Sequence, residues 1–141
     1  TRTMSKAFGM AGLRLGYMSA AREIIDAVML VRLPYHLSAI TQAAALAALR
    51  HKDSLMAQVG ALRKERDGLV DWLRTHGFHA LDSDANFVLF GTFEDRTAIF
   101  EALLARGVLI RVVGPEGWLR VSVGTPEETR LFTTALEEIT R

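Results

Sequence analysis

A lysine near the start of the chain, Lys6, is the side chain best suited to covalent chemistry. It follows a stretch that is predicted to end a strand, and it enters a loop that carries Gly9 and Gly12. Ser5 precedes it directly, and Arg14 lies eight residues further on, across a loop that can fold back. A random lysine is most often a solvated surface amine. Held in a pocket beside a cation, the amine would instead be neutral and able to attack a carbonyl.

The neighbours of Lys6 offer the groups that bind a phosphate dianion. Arg14 supplies a guanidinium fork, Ser5 a hydroxyl and the loop its backbone amides. A phosphate anchor beside a nucleophilic lysine fits pyridoxal 5′-phosphate, whose aldehyde forms a Schiff base with a lysine amine. The spacing alone leaves both readings open, a cofactor site and a solvated loop.

Two further arginines flank a turn in the second half of the chain. Arg111 and Arg120 each follow an apolar residue of a predicted strand, and a Gly-Pro-Glu-Gly turn at 114–117 lies between them. In bare sequence such arginines are more often the exposed ends of a hairpin. If the two strands pair, the turn brings the arginines side by side, and two guanidinium groups in one cleft would select a doubly anionic substrate.

Composition excludes several classes of function. The 141 residues include 17 basic and 16 acidic side chains, so a net charge of +1 provides no bulk attraction to nucleic acid or an anionic membrane. The absence of cysteine excludes disulfides, thiolate metal ligands and a cysteine nucleophile, and leaves the cytoplasm as the default location. The longest uncharged stretch, 33–49, is too short and too polar to span a membrane. No His, Asp and Glu cluster has metal-ligand spacing, so no metal is expected.

Apolar periodicity predicts an α/β chain in two parts. Helices are predicted over residues 22–33, 39–50, 53–76, 95–106 and 126–140. Strands are predicted over residues 1–5, 13–20, 87–90, 108–113 and 118–123. The part over 53–141 has the order helix, strand, helix, strand, strand, helix, which is typical of a compact α+β domain. The part over 1–52 does not close on itself and is predicted to be the tail of a larger α/β domain.

Local start and stop signals bound these helices. Pro34 ends the first helix, because proline lacks an amide hydrogen and disfavours helix in the residue before it. Ser38 and Asp53 are the predicted N-caps of the second and third helices. Gly77 stands where a left-handed C-terminal cap is expected, and Pro126 opens the last helix at its first turn.

Residues 3–17 resemble the cofactor-lysine signature of the fold type I aminotransferases, and in particular that of the histidinol-phosphate aminotransferases. The matching features are the Ser-Lys pair, the Phe-Gly step after it, and Ala-Gly-Leu-Arg ahead of Gly-Tyr. The resemblance implies that Lys6 is the Schiff-base lysine of pyridoxal 5′-phosphate. It also implies that Ser5 and Arg14 bind the cofactor phosphate.

Residues 118–125, with the order Trp-Leu-Arg-Val-Ser-Val-Gly-Thr, are similar to the C-terminal signature of the same family. The resemblance implies that Arg120 binds the substrate α-carboxylate and that Arg111 binds the phosphate of an amino-acid phosphate. The implied activity is transamination, with histidinol phosphate and 2-oxoglutarate as substrates in histidine biosynthesis. The implied assembly is a cytoplasmic homodimer.

The resemblance covers only the C-terminal part of the family. In the family, the acidic partner of the pyridine nitrogen, the aromatic residue that stacks on the ring and the glycine-rich phosphate loop all precede the lysine. We therefore expect a missing N-terminal segment or a separate chain to carry them. Three alternatives stay open: a transaminase for aromatic amino acids, a threonine-phosphate decarboxylase, and a non-catalytic fragment that serves in assembly.

Overall fold

The chain consists of two compact units that divide within a long helix, between Val59 and Gly60. A computed structural model describes residues 1–140. Within that range, no helix has both the length and the apolar character needed to cross a bilayer. The domain boundary between residues 52 and 53 stays a prediction.

The first unit opens with a short antiparallel strand pair. β1 (Arg2–Thr3) pairs with β2 (Gly16–Tyr17) so that Arg2 lies opposite Tyr17. Glycine suits position 16 because a Cβ there would lie 2.6 Å from the Arg2 carbonyl oxygen. Both strands are shorter than predicted, since the backbone groups of the segment between them bond to one another.

Two exposed helices follow in the first unit. α1 (Arg22–Val31) ends two residues earlier than predicted, because the backbone becomes extended as it approaches Pro34. α2 (Ala39–Arg50) begins where the sequence predicts, and its cap is the predicted one: Ser38 Oγ accepts a hydrogen bond from Thr41 N at 3.1 Å. Neither helix contains a buried residue.

The long helix α3 (Lys52–Thr75) crosses from the first unit into the second. It begins one residue before Asp53, which therefore lies in the first turn and not at the cap. Its end is the predicted glycine cap, with Gly77 at φ +84°. Phe78 N donates to Leu73 O at 2.9 Å, a bond that satisfies a carbonyl at the end of the helix.

The second unit continues with a three-stranded antiparallel sheet and two helices. The strands are β3 (His79–Ala80), β4 (Phe87–Gly91) and β5 (Trp118–Ser122), arranged in that order. The helices are α4 (Arg96–Ala105), between β4 and β5, and α5 (Pro126–Thr140) at the end. β3 has no counterpart in the sequence prediction, because two residues are too few to show an alternating pattern.

The core lies on one face of this sheet. Alternation along β4 and β5 sends every second side chain inward, where α3, α4 and α5 cover it. The most deeply buried side chains are Phe90, Leu73, Leu103, Leu119, Leu136 and Val88. The opposite face of the sheet carries mostly half-buried side chains, among them Arg120 of β5.

The strand predicted over residues 108–113 is wrong. Only Arg111 in this segment pairs, in a single isolated bridge to Arg120 of β5. The segment begins by capping α4, since Val108 N donates to Leu103 O at 3.0 Å. It ends at Gly114, whose φ of +100° turns the chain. An apolar run has the same sequence pattern whether it pairs as a strand or caps a helix. Only the tertiary structure decides between the two.

Candidate functional site

Lys6 lies in the loop between β1 and β2, and backbone hydrogen bonds fix the shape of this loop. Met4 N donates to Leu15 O at 3.0 Å, and Met10 N donates to Met4 O at 3.1 Å. Met4 is buried and anchors this loop. Gly9, at φ +65°, allows a tight turn in which its amide donates to Lys6 O at 2.9 Å. Lys6 therefore has a defined backbone position on a turn.

The side chain of Lys6 is exposed, where the sequence analysis expects a pocket. Within residues 1–140 its amine makes no hydrogen bond and no ion pair. The hydrogen bonds that shape the loop use backbone atoms, so they do not draw the side chain inward. Ser5 beside it is half-buried, and its amide donates to Thr3 Oγ1 at 3.1 Å.

Arg14 occupies a strained backbone position at the end of a short 3-10 helix (Ala11–Leu13). Its φ of +50° is left-handed, which costs a residue with a Cβ roughly 1 kcal/mol. Its Nη1 donates a hydrogen bond to Ala11 O at 3.2 Å, and the side chain is otherwise exposed. Strain of this kind at a non-glycine residue is typical of functional segments.

The donor set of this loop fits pyridoxal phosphate. It offers one amine for the aldehyde, from Lys6, and a hydroxyl and a guanidinium for the phosphate, from Ser5 and Arg14. The sequence has no carboxylate before Glu23. A carboxylate in the loop would compete for the guanidinium and repel the phosphate. The residues present therefore match the group chemically.

In the second unit, the backbone sets Arg111 directly opposite Arg120. Arg111 N donates to Arg120 O, and Arg120 N donates to Arg111 O, both at 2.9 Å. Residues that exchange both bonds in an antiparallel pair direct their side chains to the same face. Their neighbours Ile110 and Leu119 are buried in the core, so the arginines lie on the other face. The structure brings these two predicted site residues together.

The two guanidinium groups differ in their surroundings. Arg111 is exposed, and Arg120 is half-buried with its Cζ 4.8 Å from the centre of the Phe87 ring. The Nε of Arg120 is buried without a hydrogen-bond partner. Neither arginine forms an ion pair within residues 1–140. Adjacent like charges repel, so the pair destabilises the fold unless an anion lies between the two guanidinium groups.

Arg96, at the start of α4, holds the turn between the two arginines. Its Nη1 donates to Pro115 O at 2.8 Å, and to Gly114 O and Trp118 O at 3.4 Å. Phe93 N also donates a hydrogen bond to Gly117 O of the turn at 2.9 Å. This turn therefore has a fixed shape.

Sequence reasoning assigned no role to Phe87 or Arg96. Phe87 had only a weak signal, because all four residues from Phe87 to Phe90 are apolar and alternation does not show which of them face away from the core. Arg96 had none, because the carbonyl oxygens that it binds lie 18 to 22 residues away along the chain.

A capping box follows β5. Thr125 N donates to Glu128 Oε2 at 2.7 Å, and Glu128 N donates to Thr125 Oγ1 at 3.3 Å. The hydrogen bond from the Thr125 amide to the carboxyl, and after it a hydrogen bond from the Thr125 side chain to the carboxyl, hold the pKa of Glu128 below its usual 4.5. Within residues 1–140, no cluster of His, Asp and Glu could hold a metal ion.

Comparison with known proteins finds matches along nearly the whole chain. A family model described as aminotransferase class I and II matches residues 1–136. The histidinol-phosphate aminotransferase of Thermobifida fusca is 65% identical over 136 residues, which cover 96% of this chain and 37% of that protein. The histidinol-phosphate aminotransferase of Streptomyces avermitilis is 59% identical over 139 residues, which cover 99% of this chain and 38% of that protein. The chain thus spans little more than a third of the length of these curated relatives.

Solved structures share the fold. The histidinol-phosphate aminotransferase of Sinorhizobium meliloti, solved in complex with pyridoxal-5′-phosphate, has a TM-score of 0.80 at 30% identity, over 98% of this chain and 39% of that one. The L-threonine-O-3-phosphate decarboxylase of Porphyromonas gingivalis has a TM-score of 0.81 at 24% identity, over 98% of this chain and 45% of that one. The second likeness concerns the fold alone.

Proposed function

The chain belongs to the aminotransferase class I and II family, and from this membership we propose that it is the C-terminal part of a histidinol-phosphate aminotransferase dependent on pyridoxal phosphate. The fold is the α/β fold type I found in its structural relatives. In geometry, the proposal is carried by the opposed pair of Arg111 and Arg120, which has no carboxylate partner within residues 1–140.

Lys6 is the proposed catalytic residue. Pyridoxal phosphate, when bound, supplies the electron sink for the charge that develops at the substrate α-carbon. Lys6 Nζ would hold the cofactor and, once free, would carry the α-proton as a general acid and base. Ser5 and Arg14 would bind the phosphate. The exposed Lys6 amine needs a cover that excludes water, and we assign this cover to parts of the protein outside this chain.

Arg111 and Arg120 are the proposed substrate-binding residues. Arg120 would bind the α-carboxylate of glutamate or 2-oxoglutarate, and Arg111 the phosphate of histidinol phosphate. Histidinol phosphate has no carboxylate, so its phosphate is the anion that the pair receives in that half-reaction. A guanidinium can bind either anion through two parallel hydrogen bonds, which a lysine amine cannot do.

The proposal extends to a cytoplasmic homodimer. Exposed apolar side chains on α1 support an assembly, among them Leu30 at 88% and Val31 at 81% exposure. The molecular mass of the complete protein in solution tests the homodimer, and the mass of a monomer contradicts it.

Cofactor attachment is the direct test of the role of Lys6. The complete protein that carries this chain is mixed with pyridoxal phosphate, reduced with borohydride and digested for mass spectrometry. We expect a pyridoxyl group on the Lys6 peptide, and none after Lys6→Ala. Lys52→Ala and Lys64→Ala are matched controls, since these are the other lysines of the chain. Label on either of them, and none on Lys6, overturns the assignment.

A threonine-phosphate decarboxylase is the second candidate, because phosphothreonine carries a carboxylate and a phosphate, and the opposed Arg111 and Arg120 could receive both. Turnover of histidinol phosphate, phosphothreonine and phenylalanine, each with 2-oxoglutarate, separates the candidates. We expect histidinol phosphate to react fastest. Release of carbon dioxide from phosphothreonine favours the decarboxylase, and equal rates with phenylalanine contradict the narrow assignment.

A further inference from the structure

The sheet face away from the core places Phe87 beside Arg120. Leu89 of β4 lies opposite Arg120 of β5, and Phe87 lies opposite Ser122. Phe87 is therefore the diagonal neighbour of Arg120, a distance that an aromatic ring and a long side chain can bridge. The contact is present, with the Arg120 Cζ 4.8 Å from the ring centre.

The ring of Phe87 is the specific contact that the Arg120 guanidinium makes within residues 1–140. Its Nε is buried without an acceptor, and the side chain has no ion pair and no hydrogen bond there. A carboxylate or carbonyl in the place of the ring would hold the guanidinium equally well. It would also occupy the donors that a ligand needs. An aromatic face attracts the cation and leaves its N–H groups free.

We propose that Phe87 is a positioning residue that holds the Arg120 guanidinium, with its terminal Nη edge open, for an anionic substrate. Burial of Nε closes that edge of the guanidinium to ligands, so the fork formed by the two Nη atoms receives the carboxylate. Phe87 then sets the affinity for carboxylate without touching it. The inference rests on the proposed function, in which Arg120 binds that group.

The test compares ring removal with ring retention in the complete protein. Phe87→Leu removes the ring and keeps an apolar side chain of similar size, and Phe87→Tyr keeps the ring. Phe78→Leu is the matched control, because Phe78 stacks on Trp72 and lies tilted against Phe93, without a ring contact to Arg120. Phe87→Met is the second ringless variant should the leucine variant fail to fold by circular dichroism.

The first readout is the Kd for succinate, followed through the NMR signal of the Arg120 Hε. We expect Phe87→Leu to weaken binding about tenfold, and Phe87→Tyr and Phe78→Leu to stay within about twofold. The upfield ring-current shift of that Hε signal should vanish in the leucine variant and persist in the tyrosine variant. An unchanged Kd or an unchanged shift in Phe87→Leu overturns the proposal.

The second readout separates this proposal from the proposed function. In Phe87→Leu the KM for glutamate should rise about tenfold while kcat changes by less than about twofold. A wild-type protein that does not transaminate refutes the proposed function, whereas the succinate and NMR measurements still decide on Phe87. If Phe87→Leu and Phe87→Tyr lose equal affinity for the carboxylate ligand, packing and not the ring positions Arg120. That result would overturn the proposal.

Discussion

Arg111 and Arg120 lie face to face across two backbone hydrogen bonds of 2.9 Å, and neither has a carboxylate partner within residues 1–140. Like charges directly opposite each other in an antiparallel pair are destabilising. Without a bound anion, the two charges therefore lower the stability of the fold.

Replacement of either arginine of this pair should weaken anion binding, and replacement of Arg111 should also stabilise the fold. Arg120→Met should raise the KM for glutamate, and Arg111→Met the KM for histidinol phosphate, each roughly 100-fold, because a charged bidentate contact is lost. Arg111→Met should also raise the free energy of unfolding by about 0.5 kcal/mol, since the repulsion disappears. Steady-state kinetics and urea denaturation measure the two effects. Arg111→Lys, which keeps the charge without the fork, should be intermediate in KM, and an unchanged KM in both methionine variants would refute the pair's role.

Loss of Arg96 should loosen the turn that joins the arginine segments. Arg96→Met removes a charged donor to carbonyl oxygens of that turn, so the free energy of unfolding should fall by about 2 kcal/mol. The KM for glutamate should rise several-fold with kcat nearly constant. Arg106→Met is the control, because Arg106 forms a surface ion pair with Glu138 and its loss should cost at most about 1 kcal/mol. Equal destabilisation of the two variants would contradict the special role of Arg96.

Two glycines of the α3 region should respond to alanine in opposite directions. Gly77 has a φ of +84° and no atom within 4 Å of an added Cβ, so Gly77→Ala should cost about 1 kcal/mol through backbone strain alone. Gly68, inside the helix with equally open surroundings, should gain about 0.5–1 kcal/mol in Gly68→Ala. Chemical denaturation of both variants tests this. A destabilised Gly68→Ala would point to a contact that the structure does not show.

Glu128 should make stability depend on pH in the acid range. Hydrogen bonds from Thr125 hold its pKa in the folded state below 4.5, so the ionised carboxyl stabilises the fold above that pH. This stabilisation is lost as the pH falls through the lower pKa of the folded state. Glu128→Gln keeps an acceptor that does not titrate. The wild type should unfold at higher urea than the variant at pH 7, and the gap should close as the pH falls below 4.5 through the lowered pKa of Glu128 in the folded state. A gap that is independent of pH would contradict the role of the charge.

The sequence alone determined what is local along the chain. The cap at Ser38, the glycine stop at Gly77 and the start of α5 at Pro126 are as predicted, since each depends on the conformation of a few neighbouring residues. The family resemblance also came from contiguous strings, and the comparisons confirm it. The roles of Ser5, Lys6 and Arg14 are read from those strings and stay predictions.

The tertiary structure alone decided which distant groups meet. It reduced the segment 108–113 to one bridge, set Phe87 beneath Arg120 and tied Arg96 to the turn. It also left the Lys6 amine exposed. The physical reason is that helix caps and turns use hydrogen bonds between near neighbours, which composition and spacing encode. Strand pairing and side-chain contacts depend on which backbone groups and which surfaces remain free after the chain has folded.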